Sequence, residues 1–494
     1  MKNMRNKIYS ILCGFAILSM LGCSEDYLEV QPSEFLTAEQ VAEAAANNPE
    51  VIAGSMSGIY TLMFQAFTGG TGGHDDFGQK GYDIFSDMLS GDLALTVSTY
   101  GWYRTITEFQ ATQDFTFNDN YQVWRYYFRL IRSANLVIDA LGGNDATPEI
   151  AENRYIMGQA KAMRAHSYFY LAQFFQEGLD LSEEILPIYD DPSLPNQPKS
   201  TAQEVYNLIV DDLTDAISLL DGFNRSAKTQ IDKSVAQGIL AYVHAALGNY
   251  AEVKTLTADV INSGTYPIMD ATEVLGGFND VNTPGWMWGV DITTDNGINL
   301  VSWWGQMDRY TYSYQWAGDR KALDQGLFDQ IPANDVRKGQ FLNNPNSSYH
   351  LVAQNKFYDP ARVTGGQRTV TTDYIYMRVA EMYLLNAEAA AKTGDLITAR
   401  NSLKALLAER FADPLDYAYV DLLTGQALID EIYLQTRIEF FAEGKSYLAM
   451  KRNQATIVRG SNHLSFVGEP IPYDDDRLTF EIPQAEIQNN PFIN

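Results

Sequence analysis

Cysteine is nearly absent from this sequence, which holds two in 494 residues. Cys13 sits inside an N-terminal apolar run and Cys23 where that run ends, so a chain processed before Cys23 keeps one thiol and cannot form an intrachain disulfide. Basic residues are scarce too: 35 Lys and Arg face 62 Asp and Glu, a formal net charge of −27. That balance repels phosphate backbones, and with no basic stripe to offset it nucleic acid is excluded as a partner. Long hydrophobic runs are also missing. The apolar stretch from Ile8 to Leu21 is about 14 residues, short of the roughly 20 a spanning helix requires. The five histidines are scattered without His-Glu-x-x-His spacing, so no zinc site is expected. "GGTGGHDDFGQKGYD" lacks the Gly-Lys-Ser/Thr ending of a phosphate loop and is expected to be a flexible loop near the binding face. "DITTDNGIN" has its glycine at position seven and Ser302 at position twelve, where a calcium loop needs glycine at six and glutamate at twelve. No metal and no cofactor are therefore expected. No local motif supplies the paired carboxylates of a glycosidase, and an enzyme is not expected either.

What the N-terminus does contain is a secretory signal. Lys2, Arg5 and Lys7 precede the apolar run and the small residue Gly22 precedes Cys23, the layout of a cleavable leader over residues 1–22. Because it ends at Gly-Cys it resembles a bacterial lipoprotein signal, although Met20 and Leu21 stand where leucine and a small residue are usual. The resemblance implies lipid attachment at Cys23; the alternative is ordinary cleavage and a free thiol. Removing the leader takes away three cations and moves the formal charge to −30, which leaves a covalent lipid as the natural means of holding the chain at a membrane. Residues 23–36, with the acidic "SEDYLEVQPSEF", form the tether.

The remainder is 46% hydrophobic and 12% aromatic over the whole chain, enough to bury a large core. Thr37 and Gln40 of "TAEQVAEAAA" sit at capping-box spacing. In "YIMGQAKAMRAHSYFYLAQFF", Ile156, Ala160, Met163, Tyr170 and Phe174 fall on one helix face. "TAQEVYNLIVDDLTDAISLL" is a second amphipathic helix opened by a threonine cap. "SVAQGILAYVHAALGNYAEVKTLTADVI" and "RVAEMYLLNAEAAAKTGDLITARNSLKALLAER" share a layout in which Gly248 and Gly394 break paired helices. Both look like tetratricopeptide-type hairpins, with a left-handed glycine ending the first helix. Between them, at about 262–375, helix periodicity disappears and five of the seven tryptophans are found. Binding residues concentrate in such irregular segments on a rigid scaffold.

These segments resemble the SusD/RagB outer-membrane lipoproteins of Bacteroidota over nearly the whole mature chain. Arg164, Ala165, Tyr168 and Tyr170 stand in the family's first long helix. Arg378, Ala380, Glu381, Leu384 and Glu388 fit its Arg-x-Ala-Glu-x-x-Leu-x-x-Ala-Glu-Ala helix, and Ile482, Pro483, Glu486, Ile487, Asn490 and Pro491 its C-terminal motif. Glu439, Phe440, Glu443 and Gly444 also fit, but Gln435, Thr436, Ser446 and Ala449 occupy positions where charged partners are usual, so part of a structural ion-pair network is expected to be missing. The resemblance implies a mainly α fold: a single helical domain over 37–494, with tetratricopeptide-like units supporting a loop- and strand-containing ligand face. It also implies a surface lipoprotein, outside the cell, that acts as the lid of a SusC-like TonB-dependent transporter and captures oligosaccharide or polysaccharide. The alternative is peptide or protein capture for import.

Sugars present C–H faces and hydroxyl rims, so a glycan site needs exposed flat rings with polar groups around them. Trp286, Trp288, Val290 and Ile292 alternate as the core side of a strand, and Trp124 is expected in the core. Trp303 and Trp304 are adjacent and would face opposite ways in an extended chain, so at least one is expected to be exposed. Asp308 and Arg309 supply polar partners beside the tyrosine stripe of Tyr310, Tyr312 and Tyr314. Trp102, in "STYGWYRT", is the remaining candidate because the resembled family places ligand aromatics in this early loop as well.

Overall fold

The computed structural model describes residues 48–493; the leader, Cys23, the tether and the Thr37 helix start lie outside the described residues. The periodic segments form α1 (Pro49–Leu62), α2 (Gln79–Leu89), α3 (Asn118–Ala140), α4 (Ala151–Phe175), α5 (Ala202–Leu219), α6 (Lys233–Ala246) and α7 (Tyr250–Asn262). Regular long helices resume with α8 (Val379–Lys392), α9 (Leu396–Leu407), α10 (Gly425–Glu439) and α11 (Ser446–Arg452). Thr201 caps α5 through a complete capping box with Glu204, as its sequence predicts. The helix α4 departs from its one-face pattern. It is buried all round from Ile156 to Phe175 because α3 packs on one side and α5 on another. Its most buried charge is paired: Arg164 donates Nε and Nη2 to the Asp212 carboxylate, each at 2.7 Å, and Nη1 to Asn135 Oδ1 at 2.9 Å.

The two glycine-broken hairpins form as expected, with Gly248 at φ +76° and Gly394 at φ +79°, conformations that glycine adopts without the Cβ penalty. The pairs α6–α7 and α8–α9 also pack directly on each other through α7 and α8, although the aromatic-rich insertion separates them in sequence. Lys254 Nζ lies 2.7 Å from Asp395 Oδ2 across that junction, and Asn386 donates to Thr257 Oγ1 at 2.9 Å. The insertion therefore leaves and re-enters the helical frame at neighbouring points.

Four small antiparallel sheets pin the loops to this frame. They pair β1 (Leu93–Val97) with β5 (Arg320–Leu323), β2 (Glu184–Pro187) with β3 (Lys199–Thr201), β4 (Trp286–Val290) with β6 (Tyr374–Arg378), and β7 (Ile457–Val458) with β8 (Pro470–Ile471). Trp286, Trp288, Val290 and Ile292 are all buried, as is Trp124.

An ion-pair network is present around Glu439 and Glu443, and Gln435, Thr436, Ser446 and Ala449 contribute no charge to it. Its partners come from distant segments. Glu439 at the end of α10 accepts from Arg378 Nη1 (2.6 Å), Arg410 Nη2 (2.7 Å) and Nε (2.9 Å), and Arg337 Nη1 (3.0 Å). Glu443 accepts from Arg378 Nε and Nη2, both at 2.8 Å, and pairs with Lys356 Nζ at 2.8 Å. Asp335 completes the cluster against Arg337 at 2.6 Å, and Gln435, in place of a charge, accepts from the same guanidinium. Burial alone would raise both glutamates. The guanidiniums of Arg410 and Arg378 overturn this and hold Glu439 well below the usual range, while Arg378 and Lys356 bring Glu443 to about 2. Removing one partner from such a buried cluster strands the others without compensation. Glu439→Gln is expected to destabilise the fold by about 3–5 kcal/mol in urea unfolding; a loss under roughly 1 kcal/mol would show that the node does not hold the structure.

Candidate functional site

The pairing of β1 with β5 brings the loop after β1 against the segment that precedes β5. There the buried Asp319 accepts three backbone N–H groups of that loop: Thr99 at 2.6 Å, Tyr100 at 2.7 Å and Trp102 at 3.1 Å. Thr99 Oγ1 donates to Gly318 O at 3.1 Å. Gly318 has φ +143°, and a Cβ there would come within 2.3 Å of Thr99 Oγ1, so the contact requires glycine. One carboxylate thus sets the shape of the loop that carries Trp102.

The Trp102 ring lies parallel to His74, with centroids 5.0 Å apart and planes at 1°. Tyr314 meets both rings edge-on, and its hydroxyl is 2.6 Å from His74 Nδ1. Tyr100, 58% exposed, stands edge-on to Tyr314 at 5.4 Å. Burial lowers the His74 pKa, which keeps its imidazole neutral at pH 7. The glycine-rich loop around His74 therefore does reach the same face as Trp102.

A second group of rings continues from here. Asp308 is fully buried and accepts from the N–H of Tyr310 (2.9 Å), Thr311 (2.9 Å) and Asp359 (3.0 Å), and from Thr311 Oγ1 (2.8 Å). Desolvation outweighs these bonds and pushes its carboxyl up to about 6. The turn it ties presents Arg309 and Tyr310, both half-buried. Tyr312 N–H bonds Gln367 O at 2.9 Å, and the Tyr312 ring stands 5.6 Å from that of Trp316. Trp316 is 36% exposed.

Of the residues expected at the site, Trp102, Arg309, Tyr310 and Tyr312 lie on this face. Trp303 and Trp304 do not, and Asp308 faces inward. The two tryptophans open a short helix, Trp303–Met307, capped by Ser302, instead of an extended segment, so the opposite-face argument fails. Trp304 donates Nε1 to Asp373 O at 3.2 Å, and Trp303 packs edge-on against Phe357 at 4.4 Å; their exposures are 0% and 2%. The same helical habit ends the tyrosine stripe at Tyr314, which starts the helix Tyr314–Ala317 and turns inward to His74. Sequence reasoning missed His74, Tyr100 and Trp316. Trp316 carried a visible signal, since it is one of the five tryptophans of the irregular segment and follows Tyr312 by four residues.

The comparisons with known proteins bear on the whole chain. The model described as "SusD family" matches residues 336–494, and the one described as "Starch-binding associating with outer membrane" matches residues 82–244. A SusD-like carbohydrate binding protein from Bacteroides vulgatus is 25% identical, with TM-score 0.75, covering 90% of this chain and 97% of that one. The chain belongs to the SusD/RagB family. Surface glycan-binding protein A from Bacteroides fluxus shares the fold at TM-score 0.70 and 18% identity, over 90% of this chain and 97% of its own. SusD-like protein P25 of Formosa agariphila is 21% identical over 57% of this chain, a match that spans about half (51%) of that relative. Among the described residues of this SusD/RagB protein no helix is long and apolar enough to cross a membrane.

Two expectations follow for the supports of the face. Asp319→Ala removes an ionised acceptor from three amides, and at roughly 1.5–3 kcal/mol for charge-assisted bonds the amides of Thr99, Tyr100 and Trp102 should exchange with deuterium at least about tenfold faster. Unchanged protection would show that another contact shapes the loop. Asp308 has a folded pKa raised from 3.8 to about 6, so its favourable contribution is complete below 3.8 and is lost as pH rises through 6. Relative to Asp308→Asn, the native protein should therefore lose about 2 kcal/mol of unfolding free energy between pH 4 and pH 7. A pH-independent difference would contradict the assignment.

Proposed function

We propose that this protein is a non-catalytic, lipid-anchored surface receptor that binds a glycan and delivers it to a SusC-like TonB-dependent transporter as its lid. The observation that carries the reading is the open aromatic face of Trp102, Tyr310, Tyr312 and Trp316, held by buried aspartates and edged with guanidinium groups. Flat, partly exposed rings suit the C–H faces of sugars, and polar groups at their edges suit hydroxyls. Family membership supports the transporter partnership and the position at the outer membrane, and the signal ending at Cys23 supports the anchor.

The test is affinity electrophoresis of residues 24–494 through gels containing plant, host and microbial polysaccharides, beside a Trp102→Ala, Trp316→Ala double variant. Removing two contact rings at about 1.4 kcal/mol or more each should weaken the retarding glycan about 100-fold, with the melting temperature preserved. Trp303→Ala is a poor probe, because loss of a buried tryptophan costs about 3–5 kcal/mol of stability. Retardation unaffected by the double variant would remove this face from the function. Retardation by no polysaccharide, with binding of extended peptides, would replace glycan capture by peptide capture.

A further inference from the structure

On the reading that this face binds a glycan, we infer that the glycan is anionic, carrying carboxylate or sulfate groups along its chain. The face is edged by four arginines that are each laid on a tyrosine. The Arg362 guanidinium lies 3.7 Å from the Tyr358 ring centroid and Arg368 lies 4.0 Å from Tyr312. Arg320 lies 4.5 Å from Tyr349, and Arg309 sits between Tyr349 at 4.7 Å and Tyr310 at 5.1 Å. None of the four makes an ion pair with a carboxylate among the described residues. Arg362 donates to Gln354 O and Asn355 Oδ1 and also meets the side chains of Tyr358 and Tyr310, none of them a carboxylate, and the buried Nε atoms of Arg309 and Arg320 have no hydrogen-bond partner.

This is the reverse of what the composition favours. Acidic residues outnumber basic ones 62 to 35, and arginines such as Arg164, Arg437 and Arg452 are matched to carboxylates, while Arg129, which donates to Thr68 O, is another that is not. The acids nearest the face are turned away from it. Asp308 and Asp319 spend their oxygens on backbone N–H groups, and Asp359 Oδ1 accepts from the Ala361 N–H at 3.4 Å. Donors therefore face outward and acceptors inward. A guanidinium stacked on a ring keeps its in-plane N–H edge free, the edge that binds carboxylate or sulfate bidentately. A neutral glycan offers hydroxyls, which are served best by mixed donors and acceptors.

The test uses residues 24–494 in gels of polygalacturonate, which carries only carboxylates, dextran sulfate, which carries only sulfates, and dextran as a neutral glucan. Two variants accompany it: Arg362→Gln with Arg368→Gln on the face, and Arg129→Gln with Arg132→Gln, which removes the same charge from the exposed side of α3. Retardation by a polyanion that falls at least tenfold in the first variant and persists in the second supports the inference. Which polymer retards separates carboxylate from sulfate recognition. Retardation by the neutral glucan alone overturns the anionic assignment and leaves glycan capture standing. Equal loss in both variants overturns the site, and retardation by none of the polymers overturns glycan capture itself.

Discussion

The single carboxylate of Glu439 is the constraint on which the rest of this structure depends. Three guanidiniums converge on it, from the 3-10 turn at Arg337, from the end of β6 at Arg378, and from the segment after α9 at Arg410. With Glu443, Asp335 and Lys356 the cluster places four cations against three anions in a region closed to water. Each ion there depends on the others for the loss of its hydration. The insertion is thereby fixed to the helical frame by ionic geometry as well as by apolar contact, and the aromatic face inherits that fixed position.

Much of the fold was legible because its signals are local. A glycine after an amphipathic run, as at Gly248 and Gly394, specifies a left-handed helix end whatever surrounds it. The loss of periodicity between about 262 and 375 coincides with a stretch in which no long helix forms between Asn262 and Val379. What the pattern could not convey is the number of neighbours an element has. The helix α4 looks amphipathic in sequence, yet it is enclosed on every side, because buried polar groups such as Arg164 were matched by residues dozens of positions away.

The candidate site was legible in part for the same reason. Trp102, Arg309, Tyr310 and Tyr312 were selected from residue type and position and stand partly exposed in the fold, whereas Trp303 and Trp304 were misplaced by assuming an extended backbone. Ser302, a good N-cap, was the local sign that a helix starts there. The pairing of arginine with tyrosine could not be read at all. Arg309 and Arg320 share Tyr349, and Arg368 covers Tyr312, across sequence separations that only the folded loops close. Asp308 looked like a ligand group; its role as an internal anchor, like that of Asp319, follows from burial.

The direct packing of α7 on α8 bears on how such a fold can change. Because the insertion departs and returns at adjacent points of a completed hairpin stack, its two ends are already closed by the frame. Lengthening or exchanging the intervening text then adds only a slowly growing closure cost. What a replacement must retain are the few ions that reach back to Glu439 and Glu443. The molecule is thus divisible into a fixed socket and an exchangeable cartridge, so a loop segment can be swapped while the helical frame is left alone.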